Sequence, residues 1–248
     1  MPKLNITAAS YVGCVRSNNE DMLLIDKWFV RNSKMSTSVL TTDTDRYLLA
    51  LADGMGGHNS GEVASSDVLH NLQFFFSDIP SELNPGDFNE TIYEWLESIN
   101  NIIDSKGHSE PRYHDMGTTL VALAYYAGEF YWMNCGDSRL YRQHDGVLQQ
   151  LTTDHSLNTL LGSSQHTNII TNCIGGGCKT SYIDMVQCTA DVQPGDVFML
   201  CSDGLTDMVA DDAISRQLLL GCDAQALCEL AEEAGGHDNV SVIVVRVE

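Results

Sequence analysis

The sequence predicts an α+β fold: two antiparallel β-sheets packed face to face, with helices on the outside. Three observations lead there. A series of short segments rich in β-branched or aromatic residues, such as "YLLALA", "TTLVALAYY" and "DVFMLC", are bounded by Gly, Asp, Asn or Pro as strands are. Ala127-Gly128 and Asp145-Gly146 lie between such runs, where hairpins would turn, which favours antiparallel sheets over a βαβ alternation. Helical periodicity is confined to one pair of segments in the first half and another near the end.

In chain order, "DMLLI" and "YLLALA" read as strands. Residues 60–76 then place Ala64, Val68, Leu69, Leu72, Phe75 and Phe76 on one helical face. Residues 87–103 do the same with Phe88, Ile92, Trp95, Leu96, Ile99, Ile102 and Ile103, and the intervening "SDIPSELNPGD" is a loop. "TTLVALAYY" with "EFYWMNC", and "RLYRQ" with "GVLQQL", read as hairpins, followed by the strands "DMVQCTA" and "DVFMLC". Two helical segments, 213–220 and 224–233, precede the strand "NVSVIVVRV", with Asp211-Asp212 read as the N-cap of the first. No internal repeat or low-complexity tract interrupts the chain, which reads as a single domain over 1–248.

The 248 residues are 43% hydrophobic and 19% charged, enough for a large core. Acidic residues outnumber basic ones by 34 to 13, a formal charge of −21 that opposes nucleic acid or anionic lipid and suits divalent cations. Eight cysteines lie in apolar contexts without a C-x-x-C pair, so neither a zinc cluster nor a disulfide framework is indicated. They read as buried free thiols in a reducing cytosol. The first residues lack a basic segment followed by an apolar one, and no apolar stretch reaches the ~20 residues that cross a bilayer. A soluble, cytoplasmic protein is expected.

Acidic residues recur where strands begin or end. Asp53 in "ADGMGGH", Asp203 in "FMLCSDG" and Asp137 in "YWMNCGDSR" follow apolar runs, while Glu20-Asp21 in "RSNNEDMLLI" and Asp238 in "GGHDNVSVIVV" precede them. In antiparallel sheets the exits of some strands and the entrances of others share one end, so these strands could aim acids at one place. Singly, each is an ordinary turn acid. Together they repel one another unless cations neutralise them, and an all-oxygen set selects Mg²⁺ or Mn²⁺. Two such ions ~4 Å apart, bridged by a carboxylate, can hold a hydroxide in line with a phosphorus centre. Arg16, four residues before Glu20, could bind phosphate oxygens in bidentate fashion, although alone it reads as a surface arginine.

Eight stretches carry a family resemblance from one end of the chain to the other: "VGCVRSNNEDMLLID", "ALADGMGGHNSGEVAS", "MGTTLVAL", "NCGDSRLYR", "TTDHS", "NIITNCIGG", "DVQPGDVFMLCSDGLTDMV" and "GGHDNVSVIVV". In this order they resemble the PP2C-type metal-dependent protein serine/threonine phosphatases, specifically the compact bacterial subgroup. The resemblance implies an antiparallel β-sandwich with helix pairs on both outer faces, in α-β-β-α layers. It implies that Asp53 bridges two Mn²⁺ or Mg²⁺ ions, that the Gly54 carbonyl and Glu20 serve one ion, and that Asp203 and Asp238 hold the other. Asp137, with Asp203, corresponds to the ligands of a third, weaker ion. Arg16 matches the phosphate-binding arginine, while Asp21 and Asn239 look like groups that orient ligands.

The reaction so implied is attack of a metal-bridging hydroxide on phosphoserine or phosphothreonine in proteins, reversing bacterial Ser/Thr kinase signalling. A kinase or its targets are the expected partners, and a monomer the expected state. Consistently, no cysteine lies in a C-x5-R loop and no G-x-S-x-G elbow occurs. A two-metal nuclease is disfavoured by the net charge, and a degenerate, phosphoprotein-binding domain by the presence of every expected ligand. Met55 stands where eukaryotic members carry a histidine proposed to protonate the leaving group, which marks the bacterial subgroup. His58 reads as a helix-entry or supporting group rather than that acid. The segment 157–167, where the family has a substrate-bordering flap, is short with a Gly-Ser-Ser centre, which predicts a mobile flap, a more open cleft and altered substrate preference. "CIGGGC" (173–178) reads as a flexible turn, and His108 and His114 as exposed.

Overall fold

Alternation of side chains along each strand sends successive residues to opposite faces, and here both faces of each sheet are covered. The computed structural model describes residues 2–42, 44–56, 60–162 and 169–248. Its elements are β1 (Lys3–Tyr11), β2 (Met22–Ile25), β3 (Trp28–Val30), β4 (Ser33–Leu40), β5 (Arg46–Ala52), β6 (Gly54–Met55), α1 (Ser60–Asp78) and α2 (Pro85–Ser109). After these come β7 (Gly117–Thr118), β8 (Leu120–Tyr126), β9 (Glu129–Cys135), β10 (Arg139–His144), β11 (Val147–Gln150), α3 (Leu157–Leu161), β12 (Ile174–Gly175) and β13 (Asp184–Gln187). The chain closes with β14 (Val197–Cys201), α4 (Asp203–Thr206), α5 (Asp211–Leu219), α6 (Ala224–Glu233) and β15 (Val240–Val247). One six-stranded sheet has the order β11-β10-β14-β15-β1-β4, the other β13-β9-β8-β5-β2-β3, and a three-stranded sheet has the order β12-β7-β6. All pairings are antiparallel.

Three apolar layers hold this together. Ile6, Leu23, Leu49, Leu51, Phe198 and Ile243 fill the space between the two large sheets. Leu48 and Ala50, the alternate residues of β5, face the other way and pack with Leu69, Phe88 and Trp95 of α1 and α2. Tyr141, Met199 and Val242 meet Leu218 of α5 and Leu227 of α6 on the opposite outer face. The layers are therefore α-β-β-α, as the sequence predicts, and the double covering is why β5 and β8 read as unbroken apolar runs. Asn84 caps α2 by accepting from the Gly86 and Asp87 amides, with Pro85 in the first turn where its missing N–H costs nothing.

The structure differs from the sequence reading in several places. β1, β3 and β4 were not among the expected strands: β1 is interrupted by small polar residues, and β4 is an edge strand half open to solvent. "CIGGGC" contains β12, whose Ile174 and Gly175 pair with Thr118 and Gly117, so it is more than a turn. Asp211 lies inside the first turn of α5, after an Ala210 cap, and accepts a hydrogen bond from the Tyr141 hydroxyl at 3.1 Å. Cys14 is exposed rather than buried. The first half of the expected flap forms α3, capped by Ser156 and closed by Gly162 in the left-handed conformation, while 163–167 lie outside the described residues. His108 and His114 are exposed, as expected. Among the described residues no helix is long and apolar enough to cross a membrane.

Phe88 is fully buried and stacks on Tyr126 with ring centroids 4.2 Å apart. Phe88→Ala is expected to lower unfolding free energy by about 3–5 kcal/mol in denaturant melts. A loss below about 1 kcal/mol would show that α2 does not depend on this contact.

Candidate functional site

Strand register gathers the acidic positions at one end of the sandwich. Met22 pairs with Ala52, which sets Glu20 and Asp21 beside Asp53. Leu120 pairs with Cys135, so the turn carrying Asp137 emerges at the same end. In the other sheet Cys201 pairs with Val242 and with Arg139, placing Asp203, Asp238 and Asp137 together.

Proximity among these acids appears in their electrostatics. Asp53 is pushed well above the usual carboxylate range, first by burial and then by Asp21, Asp203, Asp137 and Asp238. Asp203 is pushed up to about 8 by burial, followed by Asp137 and Asp238. Burial is also the main cause at Asp137 and Asp21, both raised to about 6, and at Glu20, which is raised as well. Asp21 accepts a hydrogen bond from the Ser202 hydroxyl at 2.9 Å, while its other carboxylate oxygen is buried without a hydrogen-bond partner. Arg16, half exposed, contacts Asp238 at 2.7 Å, and this hydrogen bond raises the guanidinium further.

Neutral groups hold these acids in place. The Asp53 amide donates to the Thr119 hydroxyl, while the Asp53 carbonyl accepts from the Thr119 amide and the Thr118 hydroxyl. Thr119 in turn meets Ser138, next to Asp137, at 2.7 Å. Asn239 accepts from the Glu20 amide at 2.8 Å and donates to the Val12 and Asn18 carbonyls, so one side chain ties the loop carrying Arg16 and Glu20 to the start of β15. Gly54 is required by close approach: a Cβ there would lie 2.1 Å from the Gly61 carbonyl oxygen at the start of α1. Gly204 is similar, since its Cβ would fall 1.9 Å from the Asn239 carbonyl oxygen.

A second network secures the Asp137 turn. Arg139 makes a bidentate pair with Asp154, with contacts of 2.9 and 2.7 Å. His155 accepts from the Gly136 amide through Nδ1, and its Nε2 lies 3.0 Å from Asp184. Sequence reading assigned no role to Thr118, Thr119, Ser138, His155 or Asn172; their only signal was membership of the stretches "MGTTLVAL", "NCGDSRLYR", "TTDHS" and "NIITNCIGG". His58 lies outside the described residues. Met55 pairs with Gly117 in the small sheet, and its thioether has no proton to give.

Among the described residues no three His, Cys, Asp or Glu side chains converge into a ready-made metal cage. The donor set nevertheless fits a hard divalent cation. It is all oxygen, its members raise one another's pKa, and one buried Asp21 oxygen has no hydrogen-bond partner.

Comparisons with known proteins bear on the family and the fold. The family model described as protein phosphatase 2C matches residues 36–231. PstP of Mycobacterium tuberculosis, a serine/threonine protein phosphatase, is 33% identical over 98% of this chain, and the chain spans 45% of that protein's length. Protein phosphatase PhpP of Streptococcus pneumoniae is 32% identical, with 98% of each protein covered. The structure of the S. agalactiae serine/threonine phosphatase superposes with a TM-score of 0.82 at 30% identity, covering 99% of this chain and 100% of that one. The PstP catalytic domain in complex with two manganese ions superposes with a TM-score of 0.76 at 33% identity, covering 100% and 99%.

Raised carboxyl groups retain protons that a cation must displace. A carboxyl raised in the folded state favours folding below its unfolded value near 4 and loses that contribution as pH climbs through its folded value, here about 6 for Asp21 and Asp137 and about 8 for Asp203. The metal-stripped protein should therefore lose stability between pH 5 and 8, and added Mn²⁺ should raise the melting temperature more at pH 8 than at pH 5. An Mn²⁺ effect that is equal at both values would contradict this coupling.

Proposed function

The chain belongs to the protein phosphatase 2C family, and from that membership we propose that it hydrolyses phosphoserine and phosphothreonine in proteins with the help of two divalent ions, Mn²⁺ or Mg²⁺. The observation that carries the reading is the cluster in which Asp137 and Asp238 raise both Asp53 and Asp203, adjoined by the Arg16 guanidinium. PstP's catalytic domain binds two manganese ions in its own structure, and the same number suits the acids here.

On this reading Asp53 would serve both ions, the Gly54 carbonyl and Glu20 one of them, and Asp203 and Asp238 the other; Asp137 with Asp203 would serve a third, weaker one. Bound ions supply activation of water and neutralisation of phosphate charge. The protein's own groups do the rest. Arg16 exchanges its contact with Asp238 for the phosphate oxygens, where two parallel N–H donors match the anion. Asn239 fixes Glu20, Ser202 fixes Asp21, and the Thr119–Ser138 contact keeps Asp53 and Asp137 at a constant separation. Met55 has no proton to give, so no side chain is assigned the role of general acid for the leaving alkoxide.

The net charge of −21 opposes nucleic acid and anionic membranes as partners and favours phosphoproteins, here a bacterial Ser/Thr kinase or its targets. The chain acts as a monomeric, cytoplasmic catalytic domain spanning 1–248.

Hydrolysis of a phosphothreonine peptide tests this directly. Turnover should require Mn²⁺ or Mg²⁺, vanish with EDTA and fall by at least about 100-fold in Asp203→Ala, since loss of one preorganised charged group typically costs that much. Arg16→Ala should lower kcat/KM by about tenfold or more, the equivalent of one charge-assisted hydrogen bond. Metal-independent turnover, or full activity in Asp203→Ala, would overturn the mechanism.

A further inference from the structure

The run "CIGGGC" is not consumed by the phosphatase chemistry, yet its two cysteines are not simple core thiols. The Sγ atoms of Cys173 and Cys178 stand 3.4 Å apart, and the Cys173 thiol and the Cys178 amide both converge on the Gly175 carbonyl oxygen, at 3.4 and 2.9 Å. We propose that Cys173 and Cys178 form an oxidation site, a dithiol that a peroxide closes into an intramolecular disulfide.

The geometry favours closure. A disulfide needs the sulfurs roughly 1.4 Å nearer than they stand. Between them lie Gly175, Gly176 and Gly177, at φ 75°, 59° and 77°, a conformation other residues rarely adopt, and a Cβ on Gly177 would meet nothing within 4 Å. Glycines of this kind let the turn tighten without collision. The flanks are fixed: Asn100 of α2 accepts from the Gly175 amide and donates to the Cys178 carbonyl, and Ser181 donates to the Cys173 carbonyl. Closure therefore moves the side chains and the glycine turn rather than the ends.

Exposure assigns the order of events. Cys178 is partly exposed, whereas Cys173 is 3% exposed and burial pushes its thiol well up. The Cys178 thiol gives its proton to solvent and its thiolate attacks hydrogen peroxide; the O–O bond breaks, the sulfur becomes a sulfenic acid, and the other oxygen leaves as hydroxide, which takes up a proton to become water. The Cys173 thiol then attacks the sulfenic sulfur, and its proton departs with the hydroxyl as a second water. Two thiols and one peroxide thus give one disulfide and two waters. Cys135, a competing thiol, is fully buried and its Sγ is engaged by Asn172 at 3.4 Å.

The position of the turn couples it to the site. β12 pairs with β7 and β7 with β6, which contains Gly54, and the Gly176 amide donates to the Met116 carbonyl at 2.7 Å. On the other flank Asn172, next to Cys173, touches His155, which holds the Gly136 amide beside Asp137. Closing the disulfide withdraws the Cys173 thiol from Gly175 and strains both arms. This consequence rests on the phosphatase reading, whereas the crosslink itself does not.

Both cysteines fall in one tryptic peptide, 143–179, while Cys135 falls in another, 113–139. After treatment of the Mn²⁺-loaded protein with hydrogen peroxide, peptide 143–179 should lose two hydrogens, and a thiol reductant should restore them. Cys178→Ser, which is outside the catalytic set, should keep basal turnover and melting temperature and show no such loss; Cys173→Ala provides the same test from the other side. Turnover of the wild type on a phosphothreonine peptide should fall about fivefold on oxidation and return on reduction, an effect at the lower end of ordinary coupling between sites. Accumulation of sulfinic acid on Cys178, a crosslink joining 143–179 to 113–139, or no reaction would each overturn the oxidation site. A crosslink that leaves turnover unchanged would overturn its coupling to the acids. Absence of turnover even in the reduced, metal-loaded protein would instead count against the phosphatase reading and leave the crosslink standing.

Discussion

Repulsion among carboxylates forced together at one end of the sandwich is the constraint that the rest of the structure answers to. Asp53, Asp203 and Asp137 are each half-buried; Asp203 and Asp137 raise Asp53, and Asp137 raises Asp203 as well. Burying such charges without compensation is costly, so the fold must hold them by other means until cations arrive. Six-stranded sheets on both sides, each covered by helices, provide the rigidity. Neutral donors then fix the backbone beneath each acid, as Thr118 and Thr119 do for Asp53 and Asn239 does for Glu20. An arrangement that is electrostatically unfavourable when empty of cations is for the same reason a strong cation site.

Much of this could be read from the sequence, and the reason is physical. Strand exits and entrances are marked where apolar runs stop at Asp or Gly, and antiparallel pairing then leaves little choice about which ends coincide. The two long helices were legible because each must bury one continuous stripe, and Asn84-Pro85 marks the start of the second. β1 and β4 were not legible. β1 alternates apolar residues with Asn5 and Thr7 and then runs through small ones, and its pairing partner β15 lies at the far end of the chain. β6, β7 and β12 are two residues each, below any window in which a period can show. Thr119, Ser138 and His155 escaped for a related reason: a neutral polar residue announces its role only through the partner that folding supplies.

Gly54 shows how two demands can meet at one position. Family resemblance gives its carbonyl a place beside an ion, while the structure shows that any side chain there would run into Gly61 and Glu20. The helix that begins at Ser60 is thereby seated directly against β6, whose first residue follows Asp53, so the packing of α1 and the position of the acid are one and the same adjustment. The glycine turn at 175–177 makes the matching contact from the opposite side, across β7. The small three-stranded sheet is thus the element through which the helix layer, the acids and the paired thiols communicate.

If Asp53 is the carboxylate shared by two ions, its loss must affect both at once. Calorimetric titration of Mn²⁺ into the wild-type protein and Asp53→Asn at neutral pH measures this most directly. The account predicts two tightly bound ions in the wild type and loss of both in the variant, with its fold intact by circular dichroism. A variant that retains one ion at wild-type affinity would show that Asp53 serves a single ion and would contradict the shared-ligand site.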